Sequence, residues 1–477
     1  MAALCGGSPS AVENRRMNQR VQPGIDGLLD VAIDVSAIKA NSGGVRRYAH
    51  ELVAELGEQN IRPMLLARSN DVIADWPGAD RFLASAPADR VRRLIWEQTL
   101  LLRTLHVAAP DVTILHSPHY TMPYVFLRGR RTRLFGAHAM ESQPGMPAMM
   151  KRRMKRVVTI HDLSYFTRPE DHTHDKRALF TRAIAYAAKS ADALICVSDR
   201  TAAALREHVR VNAPVFVAPH GIDHRRFRPY TNESTNESTN ETTNESTDPS
   251  ISESTDQTTS ESTNESTNVS TNVSTNRPAN TIASGTPIDM RAEDLAIRKA
   301  IGIEGDYILS LSAIEPRKNL AMLIRAYDEL LANDPSLREL SLVIGGEGWP
   351  GVVESLPTSK FGRLVMTGFV PEAGVAPLFR GALCVAYPSF EEGFGLPALE
   401  ALACGAPVVT TAGSVMHDLL GNAAIAVEVT RADTLAAGLA TAVSGNGPSL
   451  VTRLAKARTF TWGNSAASHA AAYRSCR

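Results

Sequence analysis

Continuously apolar runs of strand length recur along this chain and alternate with segments of helical period. The first run is LLDVAIDVSAI, followed by a glycine turn (Ser42-Gly43-Gly44) and the helical pattern VRRYAHELVAELGE. Further strand candidates are DVTILHS, RVVTIHDL, ADALICVS and PVFVAPHG, with the helical patterns KRALFTRAIAYAAKS and DRTAAALREHV among them. Strands that read as unbroken apolar runs are buried on both faces, and strands separated by helices run parallel. The scheme starts again with YILSLSAI, NLAMLIRAYDELL, LSLVIGG, RLVMTGFV, VAPLFRGA, LCVAYPS and GLPALEALAC. The expected fold is therefore α/β, with one parallel-sheet domain over 30–230, a second over 287–455, and a C-terminal helix at 456–477. The cleft between two such domains is a usual place for a ligand.

The halves are separated by a tract of a different kind. Residues 231–286 read TNESTNESTNETTNEST and onward with a four-residue period. That period is neither 2 nor 3.6 and apolar residues are almost absent, so no face can be buried and the tract is expected to be a disordered linker. Its N-x-[ST] matches, such as Asn232 and Asn268, are by-products of the repeat. Residues 1–29 form an N-terminal tail without an apolar core of signal-peptide length, and no run nears the roughly 18 apolar residues that span a bilayer. The five cysteines, at 5, 196, 384, 404 and 476, form no C-x-x-C pair or zinc spacing and suit a reducing compartment. A soluble, cytoplasmic protein is expected. Fifty basic residues balance fifty acidic ones, which argues against a dedicated nucleic-acid binder.

Two stretches carry chemistry. In YPSFEEGFGLPALEALACGAP, from Tyr387 to Pro407, a strand ends, a glycine turn follows at Glu392-Gly393-Phe394-Gly395, and Pro397 sits where a helix begins. Glycines let the backbone approach a ligand, and a helix start offers free N–H groups and a positive dipole end, an arrangement that binds phosphate. Glu392 precedes the turn, and Glu400 is read as falling in the first turn of the helix. Carboxylates beside an anion site would repel phosphate, so one is assigned to a ribose diol and the other to a sugar ring. The second stretch, Glu315-Pro316-Arg317-Lys318-Asn319-Leu320, follows YILSLSAI at the carboxyl end of a parallel strand, where α/β ligands gather. Its adjacent Arg and Lys suit a diphosphate leaving group.

These segments closely resemble glycosyltransferase family 4, in particular bacterial mannosyltransferases of surface polysaccharide synthesis. Glu392 and Glu400 form an E-x7-E element, and EPRKNL resembles the donor-diphosphate motif. HSPHYTMP (116–123), VVTIHDLSYF (157–166), CVSDRT (196–201) and APHGIDHRRFRP (218–229) follow in the family's order. The resemblance covers 30–229 and 288–475. It implies a GT-B fold, two Rossmann-like domains facing a central cleft, and retaining transfer of a hexose. GDP-mannose is the implied donor, and a saccharide or lipid-linked saccharide the acceptor. Position by position, it implies that Glu400 holds the ribose and that Glu392 meets the sugar near its anomeric centre. The amides of Gly393, Phe394, Gly395 and Leu396 would meet sugar and phosphate, and Lys318 and Arg317 would hold the diphosphate. His161 would contact the donor sugar from the first domain, where Gly43 and Gly44 would form a loop facing the phosphates. His116 and His119 are read as structural.

Several positions depart from the family. Ser312 stands where relatives carry a second basic residue, and Gly44-Val45-Arg46-Arg47-Tyr48 replaces the common G-I-G-R-Y. Met416-His417 replaces a Pro-Glu pair, and about thirty residues separate TMPY from VVTIHDL. The chain has no D-x-D, so no metal or other cofactor is expected on the diphosphate. Gly346-x-Gly348-x-x-Gly351 matches a dinucleotide fingerprint, but Pro350 interrupts it and no nicotinamide cofactor is expected. The competing readings are a retaining glycosidase, a sugar-nucleotide epimerase and a non-catalytic nucleotide-sugar-binding protein. Finally, Arg128, Arg130, Arg131, Arg133, Lys151, Arg152, Arg153, Lys155 and Arg156 concentrate charge, with Met149, Met150 and Met154 among them. They suggest peripheral contact with an anionic membrane at the inner face of the plasma membrane.

Overall fold

The computed structural model describes residues 27–38, 43–68, 76–123, 154–230 and 290–477. The N-terminal tail, the repeat and most of the long connection before VVTIHDL lie outside these residues. The described residues up to Pro229 and from Asp294 onward belong to one compact body.

That body contains two parallel sheets. The first comprises β1 (Leu29–Asp34), β2 (Ile61–Arg68), β3 (Arg81–Ala86), β4 (Ile114–Ser117), β5 (Lys155–Ile160), β6 (Ala193–Cys196) and β7 (Val215–Val217). Its order is β3-β2-β1-β4-β5-β6-β7, so the chain reverses direction across the sheet between β1 and β4. The second comprises β8 (Tyr307–Leu311), β9 (Ser341–Gly345), β10 (Arg363–Gly368), β11 (Cys384–Tyr387), β12 (Val408–Thr411) and β13 (Ile425–Val427), in the order β10-β9-β8-β11-β12-β13. Central strands such as β4, β6 and β9 are buried at every residue, because helices cover both faces of each sheet. The two expected Rossmann-like layers are present.

Strands β2 and β3 escaped the sequence reading. IRPMLLAR carries Pro63, which normally argues against a central strand. Here Pro63 pairs with Val31 of β1 but precedes the first β3 partner, Met64, so the ladder to β3 needs nothing from it. β3 (RFLASA) is an edge strand, short and largely half-exposed, with no apolar run to detect.

The chain crosses between the sheets twice, and the crossings lie together. After β7 it passes through 218–229, where the Ile222 amide donates to the Phe460 carbonyl at 3.2 Å. It returns after the helix Leu450–Arg458, so that the last helix, Trp462–Arg474, packs on the first domain's helix Gly43–Leu56. The Tyr48 hydroxyl meets His469 Nε2 at 2.7 Å, and Tyr473 meets His116 Nδ1 at 2.8 Å. The C-terminal helix thus follows the second domain in sequence and completes the first in space.

Of the nine clustered basic residues, seven lie outside the described residues. The other two are not part of a free charged loop. Lys155 and Arg156 open β5, where Lys155 pairs with Asp192 at 3.5 Å and Arg156 donates to the carbonyls of Ser190 (2.7 Å) and Pro123 (3.3 Å). The Arg156 side chain is committed to the fold, while that of Lys155 stays 39% exposed.

Candidate donor site at the meeting of two domains

The glycine turn leaves the carboxyl end of β11 and leads into the helix Leu396–Ala403, with Pro397 in its first turn. Gly395 adopts φ +89°, and a Cβ there would overlap Met416. A Cβ at Gly393 would overlap the backbone carbonyl of His161, so only glycine allows the two domains to meet here. The Gly393 carbonyl accepts from Ser198 Oγ at 3.0 Å and from Thr201 Oγ1 at 3.3 Å. Phe394 anchors the turn in the core, its ring 4.6 Å from His220 and 6.0 Å from Phe460. Leu396 is buried at the helix start.

The basic pair of EPRKNL is not solvated surface. It follows β8 as a single 3₁₀ turn, Pro316–Lys318, and Lys318 is only 8% exposed. Lys318 Nζ lies 2.5 Å from one oxygen of Glu392, and Arg317 Nη1 lies 2.9 Å from the other. Arg317 also pairs with Glu315 at 2.7 Å and donates to the Glu391 carbonyl at 2.9 Å. Burial opposes charge on Glu392, but Lys318 and Arg317 outweigh it and hold the carboxyl at about 2. Burial pulls Lys318 below the usual lysine range, against the attraction of Glu392. The first glutamate of the E-x7-E element therefore occupies both cations.

Glu400 corrects one expectation. The helix begins at Leu396, so Glu400 lies in its second turn and not in the first. It points inward, 2% exposed, where Arg47 of the first domain donates to Oε1 and Oε2 is left buried without a hydrogen-bond partner. Burial pushes its carboxyl up to about 7 despite Arg47. Arg47 also meets Glu372 at 2.5 Å, and Arg226 binds the same carboxylate. The sequence reading missed Arg47. Its one visible sign was the departure at Gly44-Val45-Arg46-Arg47-Tyr48. Gly43 and Gly44 open the helix Gly43–Leu56 itself, one turn before Arg47, so they are helix start and not free loop.

His161 follows β5 and donates from Nε2 to the Pro118 carbonyl at 2.9 Å. The edges of Tyr48 and Tyr120 enclose its ring, at 5.1 and 6.2 Å. Burial lowers its pKa, so the imidazole is neutral near pH 7. His116 is structural as expected, fully buried between Thr159 and Tyr473. The Gly346 motif is packing: a Cβ at Gly346 would overlap the Ser312 carbonyl, and a 3₁₀ turn rather than a helix follows at Val353–Ser355.

A cavity of about 310 Å³ opens beside the turn, lined by Asp162, Arg168 and Arg200 of the first domain and Glu391, Glu392 and Thr411 of the second. Its size reaches the range of small-molecule sites. Among the expected site residues only Glu392 lines it. Among the described residues, no cluster of three or more His, Cys, Asp or Glu is arranged to hold a metal.

The model of glycosyltransferase family 4 matches residues 42–226, and that of glycosyl transferases group 1 matches 294–458, one for each sheet. The chain belongs to the family 4 glycosyltransferases. It is 32% identical over 164 residues to O-antigen chain mannosyltransferase B of Escherichia coli, covering 33% of this chain and 43% of that one. It is also 37% identical over 131 residues to D-inositol 3-phosphate glycosyltransferase of Kribbella flavida, covering 25% and 31%. The chain therefore spans less than half the length of these relatives. Among solved structures, HepE of Anabaena in complex with UDP and glucose superposes with a TM-score of 0.58 at 14% identity, over 94% of this chain and 99% of that one. This last likeness shows a shared fold.

Proposed function

We propose that this family 4 glycosyltransferase is a retaining hexosyltransferase. It moves mannose from GDP-mannose to a saccharide or lipid-linked saccharide acceptor in surface polysaccharide synthesis. The observation that carries the reading is the Glu392–Lys318–Arg317 cluster, set against a glycine turn that meets His161 of the other domain. The likeness to the O-antigen mannosyltransferase supports mannose.

In this mechanism the donor diphosphate displaces Glu392 from Lys318 and Arg317, and the freed carboxylate turns to the sugar. As the anomeric bond breaks, the sugar becomes oxocarbenium-like and the diphosphate gains charge. Fixed cations and backbone amides stabilise that charge, the contribution that is usually largest in such reactions. The acceptor hydroxyl attacks from the face the diphosphate leaves and gives its proton to the departing phosphate, so configuration is retained. No metal is required. Arg47 yields Oε1 of Glu400 to the ribose diol, and contact between the domains excludes water that would hydrolyse the donor. A thermal-shift screen of nucleotide sugars tests the donor: a ligand at about 100 times its Kd adds about 2.7 kcal/mol. A shift with GDP-mannose is expected. A shift confined to other nucleotide sugars would overturn the donor, and no shift at all would overturn the function.

We further propose peripheral contact with an anionic membrane, resting not on the 128–156 cluster but on a second set of residues. Val91 (64% exposed), Ile95 and Val107 (68%) stand beside exposed Arg90, Arg92 and Arg103 on the helices Arg90–Thr99 and Leu101–Ala108. An apolar edge with basic neighbours suits a lipid surface. No helix among the described residues is long and apolar enough to cross a membrane. Co-sedimentation with vesicles should need anionic lipid, fall with salt, and weaken when Arg90, Arg92 and Arg103 are neutralised. Recovery in the supernatant with anionic vesicles at low salt would reject it.

A further inference from the structure

A second set of buried polar groups lies apart from the donor cations, at the carboxyl ends of β1 and β4. These adjacent strands mark the point where the order of the first sheet reverses, the place where open α/β sheets receive ligands. Asp34 closes β1 and is fully buried. One of its oxygens accepts from the Ser36 amide at 3.0 Å, while Oδ2 has no hydrogen-bond partner. His119, two residues beyond β4, holds Thr121 Oγ1 at 2.9 Å through Nδ1, and its Nε2 also has no hydrogen-bond partner. The two orphaned atoms face each other at 3.9 Å. That is too far for a hydrogen bond, yet one oxygen atom about 2 Å to the side of the line joining them would lie at hydrogen-bond distance from both. The Ser36 hydroxyl beside them is a third buried group without a partner.

The surroundings are built rather than incidental. Glu97 reaches in from the helix Arg90–Thr99, paired with Arg93 at 3.1 Å and holding the Gln98 amide at 3.2 Å. Burial, then the nearby Asp34, pushes the Glu97 carboxyl up to about 7 against the pull of Arg93. Burial lowers His119 to about 4, so its ring is neutral near pH 7. Arg93 is already taken by Glu97. His119 directly follows Pro118, whose carbonyl holds His161, so the pair sits one residue from the expected donor-sugar contact.

We propose that Asp34 and His119 recognise the acceptor, and that the acceptor they select presents neutral sugar hydroxyls rather than a phosphate. This rests on the transferase reading above. With its proton on Nε2, His119 donates to one hydroxyl, which donates in turn to Asp34 Oδ2. With the proton on Nδ1, a vicinal diol donates one hydroxyl to each atom. A phosphate oxygen satisfies neither arrangement, because it brings no proton and meets a carboxylate. Buried groups left unpaired by the wrong ligand are what give such sites their selectivity.

The test compares a methyl α-mannobioside with D-inositol 3-phosphate as acceptors for GDP-mannose, in wild type, Asp34→Asn and His119→Gln. The Asp34→Asn change keeps an oxygen that can hold the Ser36 amide, and unfolding curves check that both variants are folded. The wild type should use the mannobioside and not the inositol phosphate. Each variant should raise the acceptor KM at least tenfold and leave the donor KM within twofold. Saturation-transfer contacts to the mannobioside in the presence of GDP should fall in parallel, which reads acceptor binding without turnover. Acceptor KM within twofold of wild type in both variants, preference for the inositol phosphate, or no saturable contact with the mannobioside would each overturn the assignment. Failure of GDP-mannose itself to bind would instead overturn the donor reading.

Discussion

Replacing Glu392 with Gln separates two roles that one carboxylate performs here. In the fold it neutralises Lys318 and Arg317; in the proposed reaction it serves the sugar. The carboxyl titrates at about 2 in the fold against an ordinary 4.5. At about 1.4 kcal/mol per pH unit, that gap is worth about 3 kcal/mol of stability. Because the folded pKa is depressed, this stability is fully present above about pH 4.5 and is lost as pH falls toward 2. Glu392→Gln should therefore be destabilised by up to about 3 kcal/mol at pH 7, with the deficit shrinking through pH 4 and nearly gone at pH 2. The freed cations should bind GDP as well as the wild type or several-fold tighter, while transfer falls by about a hundredfold or more, a usual cost of losing a group used in the transition state. Denaturant unfolding at pH 7, 4 and 2, with calorimetry of GDP, measures both. A stability deficit independent of pH, or a tenfold loss of GDP affinity, would refute the reasoning.

Glu400 titrates the other way, and its folded pKa of about 7 puts the change within assay range. If its ionised form accepts the ribose diol, affinity for the nucleotide sugar should rise several-fold from pH 6 to 8, and Glu400→Gln should abolish the trend; equal slopes in both would reject the role. Lys318→Ala should weaken nucleotide binding at least tenfold and leave Glu392 buried beside one cation fewer, lowering stability by about 1–3 kcal/mol in denaturant unfolding; native-like GDP affinity would remove Lys318 from the diphosphate site. Excess EDTA should change the transfer rate less than about threefold, and full loss restored by magnesium or manganese would contradict metal-independent transfer. Shortening 231–286 to about fifteen residues should leave the transfer rate and melting temperature near native, since loop closure changes by only about 0.6 kcal/mol per doubling of length. A large loss of either would mean that the tract binds or packs.

The parallel sheets were legible because their central strands are continuous apolar runs of strand length set between segments of helical period. β2 and β3 were not, because Pro63 and a half-exposed edge strand carry the signature of neither strand nor helix. Around the donor site, the residues were legible and their partners were not. The run from Glu392 to Glu400 and the Arg317-Lys318 pair could be named from spacing and local chemistry. That Glu392 would occupy both cations is a fact of packing between β8 and β11. Arg47 meets Glu400 from 353 positions away, and no local pattern reports a contact of that range. Glu400 was placed a turn early because the helix start was inferred from proline and glycine, and such boundaries shift by a few residues. Asp34 sits inside an apolar run that reads as core, and its orphaned oxygen appears only when His119 is brought opposite.

The most direct test of retaining mannosyl transfer is the anomeric configuration of the product. GDP-α-mannose is incubated with the enzyme and a neutral mannoside, and the product is read by one-bond carbon–proton coupling at the new anomeric centre. The account predicts one GDP released for each α-linked mannose transferred, in the wild type and not in a Glu392→Gln, Lys318→Ala double variant. A β-linked product, or α-linked product formed equally by the double variant, would contradict it.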